Sequence, residues 1–307
     1  MGAAQRMKGI LVTGANGHLG RRLIAHLPED TPIEALVRSE RARSRLERDC
    51  GGKRGLRITV ASPVDADALA TLAARCDRAV HLIGTIKETR DNRYVDSHQR
   101  PAAALVEAAA RSGLERIVYL SILGADDASA SACLRARAAV EAMFLDIAAP
   151  ACVIRVPMVL GEGDRASAAL ARRARARRVF LFRAASLEQP IYAGDVVAAL
   201  EHALGVEPAI NGMLELAGPE SLSRGALTAR AARVCRTQPA IHSLPLLLGL
   251  AVARVMEITR ERPPVTRDML RVLDHDDDID AHAAAATLGL TLTSLDTMLE
   301  RCVGQRP

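Results

Sequence analysis

Apolar and polar positions along this chain fall into two successive rhythms. Through the first half, short β-branched runs alternate with longer Ala-rich stretches of helical period. Ile10-Leu11-Val12 reads as a strand, followed by a helix over about 18–27. Ile33–Val37 reads as the next strand, followed by an Arg-rich helix. Leu56–Val60, Ala79–Ile83, Ile117–Leu120 and Cys152–Ile154 continue the series, with helices near 66–75, 98–112 and 131–146. Strands apolar at nearly every position are buried on both faces. Strand–helix alternation at this spacing implies right-handed crossovers and a parallel sheet. The pattern predicts an α/β fold: a Rossmann-like doubly wound parallel sheet with a smaller, mainly helical C-terminal lobe.

After about residue 156 the rhythm changes. Ala168–Arg178 reads as a basic helix and Val179–Phe182 as a strand. Pro190–Leu204 reads as a strand running into a helix capped near Asp195. Leu214–Ala217 reads as a short strand and Ser221–Cys235 as a helix. The remainder reads as helical, punctuated by Pro245, Pro263 and Pro264. These segments predict a nucleotide-binding domain over 1–156 and a substrate or partner lobe over 157–307, with 190–218 returning to the sheet. Met1–Arg6 reads as an extension before the first strand.

Composition narrows the class. Hydrophobic residues make up 49% and charged residues 25%, which suits a globular protein. Aromatics are only 2% and Trp is missing, so Ala, Leu, Val and Ile must build the core. The six cysteines are scattered and form no C-x-x-C pair, which argues against a disulfide framework or a zinc site. A reducing, cytoplasmic setting is expected, with a peripheral membrane location as the alternative. No apolar run reaches the roughly 20 residues that span a bilayer.

The chemistry is concentrated after the first strand. Thr13-Gly14-Ala15-Asn16-Gly17-His18-Leu19-Gly20 has the form T-G-x-x-G-x-x-G in a strand–loop–helix setting. Gly14 allows a tight turn, Gly17 a close backbone approach to pyrophosphate, and Gly20 close helix–strand packing. The helix N-terminus offers free N–H groups and partial positive charge. Gly14, Asn16, Gly17, His18, Leu19 and Gly20 are therefore cofactor-binding candidates. The second strand ends Val37-Arg38-Ser39, with no acid at its tip. A carboxylate there would accept from a ribose 2′-hydroxyl, whereas a guanidinium matches a 2′-phosphate. Arg38 thus favours NADP(H) over NAD(H); Arg41 and Arg43 stand behind it.

These segments resemble the extended and atypical short-chain dehydrogenases. The resemblance rests on the 13–20 loop, His81-Leu82-Ile83-Gly84, Tyr119-Leu120-Ser121, Arg155 with Gly161-Glu162-Gly163-Asp164, Gln189-Pro190-Ile191-Tyr192 and Leu216-Ala217-Gly218-Pro219. Within that group, 81–88, 94–98 and 134–138 are most similar to the nucleotide-binding accessory subunit of respiratory complex I and its bacterial relatives. The resemblance implies that Ile83 and Gly84 pass the cofactor and that Ser62 stands where an Asp usually meets adenine. It also implies a Tyr-x-x-x-Lys pair for acid–base chemistry, and this pair is replaced by Cys133 and Arg137. The chain has three lysines, Lys8, Lys53 and Lys87, preceded at four residues by Ala4, Asp49 and Ile83, so the motif occurs nowhere. Ser121 occupies the family's hydroxyl position, and Arg137 could still hold the nicotinamide ribose.

The expected function is an NADP(H)-binding protein with a structural or redox-sensing role. The alternative is an NADPH-dependent oxidoreductase or isomerase acting on a hydrophobic small molecule such as a quinone, terpenoid or polyketide. Cys133, Arg137, Ser121, Tyr94, Tyr192 and His98 are its catalytic candidates. Two further segments are candidate partner surfaces, for a protein or an anionic membrane. One is the arginine series 172–183. The other is the apolar run 244–256, which could equally form core or a hydrophobic pocket wall. Without interleaved aromatics the basic series does not suit nucleic acid. The Asp/His run 274–282 reads as a solvated loop leading into a helix, and no metal is expected.

Overall fold

The computed structural model describes residues 8–88, 92–260, 263, 265–272 and 274–304. The expected extension at 1–6 and Pro264 lie outside the described residues. Six strands of the first half form as the apolar runs predict: β1 (Ile10–Thr13), β2 (Ile33–Val37), β3 (Leu56–Val60), β4 (Arg78–His81), β5 (Arg116–Ile122) and β6 (Ala151–Val156). Between them lie α1 (His18–His26), α2 (Glu40–Cys50), α3 (Ala66–Ala73), α4 (Arg100–Ser112) and α5 (Ala132–Leu145). A seventh strand, Gly212–Glu215, returns to pair with β6. The sheet is parallel throughout, ordered Gly212–Glu215, β6, β5, β4, β1, β2, β3.

Each strand splits its side chains between two cores, because successive residues point to opposite faces. Ile10 and Val12 of β1, Ile33, Ala35 and Val37 of β2, and Cys152, Ile154 and Val156 of β6 face α1, α2 and the helix Ala193–Gly205. Leu11, Leu36, Ile117, Tyr119 and Val153 face α3, α4 and α5 on the other side. A third core joins the helices Arg165–Ala174, Arg224–Val234 and Leu295–Val303 in the C-terminal lobe. The strand order reverses between β1 and β4, and clefts for ligands open at such switch points.

Three expectations need correction. Asp195 does not cap the helix Ala193–Gly205; that helix begins after Tyr192 without a side-chain cap. The Asp195 carboxylate instead accepts from the Thr293 backbone N–H at 2.8 Å and hydroxyl at 2.7 Å, tying the chain's last segment down. The basic helix spans Arg165–Ala174 rather than Ala168–Arg178, because the Asp164 side chain accepts from the Ser167 N–H and starts it earlier. The region after Cys235 is not all helical. Ala240–Leu244 is a strand in parallel register with Arg178–Phe182.

Candidate nucleotide-binding site

The loop after β1 closes a turn through a 2.9 Å hydrogen bond from the Gly17 N–H to the Gly14 carbonyl. Gly14 has a φ of +76°, and a Cβ there would stand 2.7 Å from the Leu82 carbonyl carbon. A Cβ at Gly20 would stand 2.5 Å from the Gly14 carbonyl oxygen, so helix and loop touch backbone to backbone. α1 begins at His18 with no side-chain cap and no acid in its first turn. Its orphan N–H groups are therefore left for an anion.

This loop forms one wall of a cleft of about 390 Å³. Gly14, Asn16 and Gly17 line it, together with Arg38 from the tip of β2, Pro63 after β3, and Leu82, Ile83, Gly84 and Thr85 after β4. The Asn16 Oδ1 is buried in this wall without a hydrogen-bond partner. Tight glycines, uncapped N–H groups and an orphaned acceptor fit a dinucleotide laid across the carboxyl ends of the strands. Other candidates of the series lie beside the cleft. Leu19 packs beneath the loop against the core. The His18 ring accepts from Arg22 Nε at 3.0 Å, and its pKa is lowered, first by burial and then by Arg22. Ser62 is exposed, and its neighbour Pro63 is the residue that lines the wall.

Arg38 is exposed and, among the described residues, has no ion-pair partner. Arg43 behind it is held by Glu47 at 2.9 Å, and Ser39 is used to cap α2. Arg38 is thus the guanidinium at this end of the cleft left free for a ligand.

At the opposite end stand Arg137 and Cys133, the residues expected from the resemblance to replace a Tyr and Lys pair. Arg137 is buried; its Nη1 donates to the Tyr119 hydroxyl and the Leu120 carbonyl, each at 3.0 Å. Its Nε has no partner, and its Nη2 lies so close to Gly84 that a Cβ there would meet it at 2.4 Å. No carboxylate balances this cation among the described residues. The His98 Nε2 lies 3.2 Å from the Thr85 backbone N and 2.8 Å from its carbonyl oxygen, so it accepts from the first in one tautomer and donates to the second in the other, and its Nδ1 is unpartnered. Burial, followed by the Arg137 charge, lowers the His98 pKa to about 3, and His81 deeper in the sheet is lowered to about 3 in the same way.

Cys133 is 0% exposed, and burial pushes its thiol up to about 11. It packs with Tyr94 and Ala136 beneath Ile122, Ala132 and Val272. The Tyr94 hydroxyl donates to the Ile86 carbonyl at 3.1 Å, and burial raises its pKa. The Asp268 carboxylate accepts from the Ala132 and Cys133 N–H groups at 2.7 and 3.1 Å. The short helix Arg267–Val272 thereby covers the start of α5. Ser121 is also engaged: its hydroxyl donates to Glu141 at 2.5 Å, and Glu141 pairs with Arg155 at 2.6 Å.

Tyr192 stands apart from this end. Its hydroxyl donates to Glu162 at 2.7 Å, Glu162 pairs with Arg22, and the Arg301 guanidinium lies 5.3 Å from the Tyr192 ring centroid. The grouping of Arg22, Glu162, Tyr192 and Arg301 is not announced by the sequence, since its members are far apart in the chain and the segments that hold Glu162 and Tyr192 give no sign that they meet. The acidic run is structural: Asp274 pairs with Arg183, and Asp276 accepts from the Ser186 hydroxyl and the Leu187 N–H. Among the described residues, no group of His, Cys, Asp and Glu is placed to hold a metal.

Comparison with known proteins agrees with this geometry. Residues 14–151 match a family model described as NAD(P)H-binding. The chain is 27% identical over 281 residues to the mitochondrial NADH dehydrogenase [ubiquinone] 1 alpha subcomplex subunit 9 of Arabidopsis thaliana, covering 86% of this chain and 67% of that protein. Against the Mus musculus counterpart the figures are 26% identity, 71% of this chain and 59% of that protein. Among solved structures, an Escherichia coli NADPH-dependent quinone oxidoreductase complexed with NADPH superposes with a TM-score of 0.75 at 16% identity, covering 95% of this chain and 98% of that one. A UDP-glucuronic acid 4-epimerase from Bacillus cereus, in complex with UDP-glucuronic acid and NAD, gives 0.73 at 16% identity, covering 96% and 98%. The chain is therefore similar to the alpha subcomplex subunit 9 proteins, matches an NAD(P)H-binding family model over residues 14–151, and shares its fold with the quinone oxidoreductase and epimerase structures.

Proposed function

We propose that this protein binds NADP(H) as a structural or redox-sensing ligand and does not turn it over by the family's Tyr/Lys chemistry. The observation that carries the reading is the state of the two replacement residues. Cys133 is sealed under Val272 with its thiol near 11, and a protonated thiol at that depth cannot exchange protons with a substrate near neutral pH. A guanidinium is a donor only and does not relay protons in proteins, so Arg137 can bind and orient. When bound, the nucleotide supplies hydride chemistry. Gly14, Gly17 and the N-terminus of α1 would hold its phosphates, Arg38 its 2′-phosphate, and Arg137 beside Gly84 its nicotinamide ribose. The free guanidinium of Arg38 supports NADP(H) over NAD(H).

The unbalanced charge of Arg137 supports a preference between redox states. A cation without a counter-ion disfavours the positively charged oxidised ring more than the neutral reduced one. Two like charges in a partly buried site repel by about 1 kcal/mol or more, which corresponds to about fivefold in affinity. NADPH should therefore bind about fivefold or more tightly than NADP+, and Arg137→Met should bring the ratio towards one. Mass spectrometry of the nucleotide released from the denatured protein, with titration of both forms, tests the reading. Retained NADP(H), a ratio above one and no NADPH consumption with a carbonyl panel are the expected results. Sustained consumption would overturn it.

The alternative, an oxidoreductase or isomerase acting on a hydrophobic small molecule, is favoured by the likeness to the quinone oxidoreductase fold. It would need Cys133, Tyr94 or His98 to be uncovered by movement of the segment Arg267–Val272. A cytoplasmic setting suits the six unpaired cysteines.

A further inference from the structure

The helix Leu246–Thr259 is turned the wrong way round for a helix in water. Small residues face inward: Ala253 is buried, and Gly249 is buried where a Cβ would meet the Phe182 ring at 2.8 Å. Large aliphatic side chains face outward. Leu247, Val255 and Ile258 are 79%, 60% and 75% exposed, and Leu248 and Val252 flank them at helical spacing. A surface helix ordinarily does the reverse. The patch continues onto the neighbouring strand pair, where Arg178 and Phe180 are exposed and the Phe180 ring stacks on His242 at 5.1 Å.

Among the described residues, the unpaired charges beside the patch are basic. Arg178, Arg254 and Arg260 are exposed and have no acidic partner among the described residues. The helix has a single acid, Glu257, which is held by Arg267 at 2.7 Å. We propose that this face is a docking surface for an anionic phospholipid bilayer. Its aliphatic side chains would enter the acyl boundary while the arginines meet the headgroups. The helix would lie in the interface plane, since no helix among the described residues is long and apolar enough to cross a membrane. A second copy is a poorer occupant. A two-fold contact lays the patch on itself, and among the described residues this rim offers arginine to arginine with no free acid between. An apolar face on a single convex helix also offers no groove to a peptide.

Co-sedimentation of the full chain with vesicles tests the proposal. One set is phosphatidylcholine alone, the other equal parts phosphatidylcholine and phosphatidylglycerol. Binding is expected only to the mixed vesicles, and it should weaken with salt. Arg254→Gln with Arg260→Gln should lower the partition coefficient about fivefold per arginine at low salt. Leu247→Glu with Val255→Glu should abolish sedimentation, while circular dichroism and nucleotide affinity stay unchanged. The proposal is overturned if neither vesicle binds, or if the glutamate variant sediments like the parent. It is equally overturned if the patch instead drives a concentration-dependent dimer or the capture of a protein, with no vesicle binding.

Discussion

In the proposed function, Arg38 would carry the choice between two nucleotides that differ by one phosphate. It stands at the tip of β2 with no partner of its own, whereas Arg43 one turn away is tied to Glu47. Replacing Arg38 with Ala should weaken NADPH binding by about 1.5–3 kcal/mol, the worth of a hydrogen bond to a charged group. NADH binding should be left nearly unchanged, and fluorescence titration of the two nucleotides separates the cases. Equal losses for both would place the guanidinium elsewhere. The same scale shows what could be read in advance. The glycine spacing at 14, 17 and 20 was legible because each position answers a local steric demand. The lack of any Tyr-x-x-x-Lys sequence was legible because the chain is so poor in lysine. The cover over Cys133 was not, because it comes from Val272, over a hundred residues later.

Secondary elements followed the apolar pattern where the sheet enforces it. The strand β3 forms over Leu56–Val60 and β2 over Ile33–Val37, the same residues the pattern marks. The pattern failed where an element depends on a distant partner. Ala240–Leu244 has too little apolar character to announce a strand, and it is one because Arg178–Phe182 offers a parallel edge. Asp195 resembles a cap in sequence, yet it serves Thr293. The cap that α5 receives from afar is Asp268, which adds to its local cap Ser131. Asp268→Ala should cost about 1–2 kcal/mol, in line with loss of an N-terminal cap. Urea denaturation would measure this loss, and a drop below a few tenths would mean the segment Arg267–Val272 holds by packing alone.

The whole molecule keeps several imidazoles neutral in its interior, and this sets its acid limit. His81 and His98 have folded-state pKa values lowered to about 3, and His18 is lowered too. Groups of this kind stabilise the fold above their unfolded value near 6.5 and lose that contribution as pH falls towards the folded value. For His81 and His98 the loss is about 2 kcal/mol each by about pH 5. His275 opposes them. Its pKa is raised by the hydrogen bond to Asp277, so its contribution is complete below 6.5 and fades as pH climbs. Net stability should fall between about pH 7 and pH 5, as read from urea midpoints, and His98→Asn should flatten the slope. A midpoint independent of pH would contradict the buried neutral rings.

Four of the six cysteines lie in the interior, at four separate places in the fold. Cys50 ends α2, Cys76 follows α3, Cys133 begins α5, and Cys152 sits in the middle of the sheet. Burial holds the thiols of Cys76 and Cys152 near 12 and that of Cys133 near 11. Alkylation needs an accessible thiolate, so iodoacetamide should leave these positions unlabelled until the layer above each one opens. The chain thus carries its own set of clocks. Timed labelling read by peptide mass should give Cys133 a faster rate than Cys152, because a short helix covers one and a whole sheet the other. Bound nucleotide should slow Cys133 the more, and identical rates at all four positions would mean that the molecule opens only as a single unit.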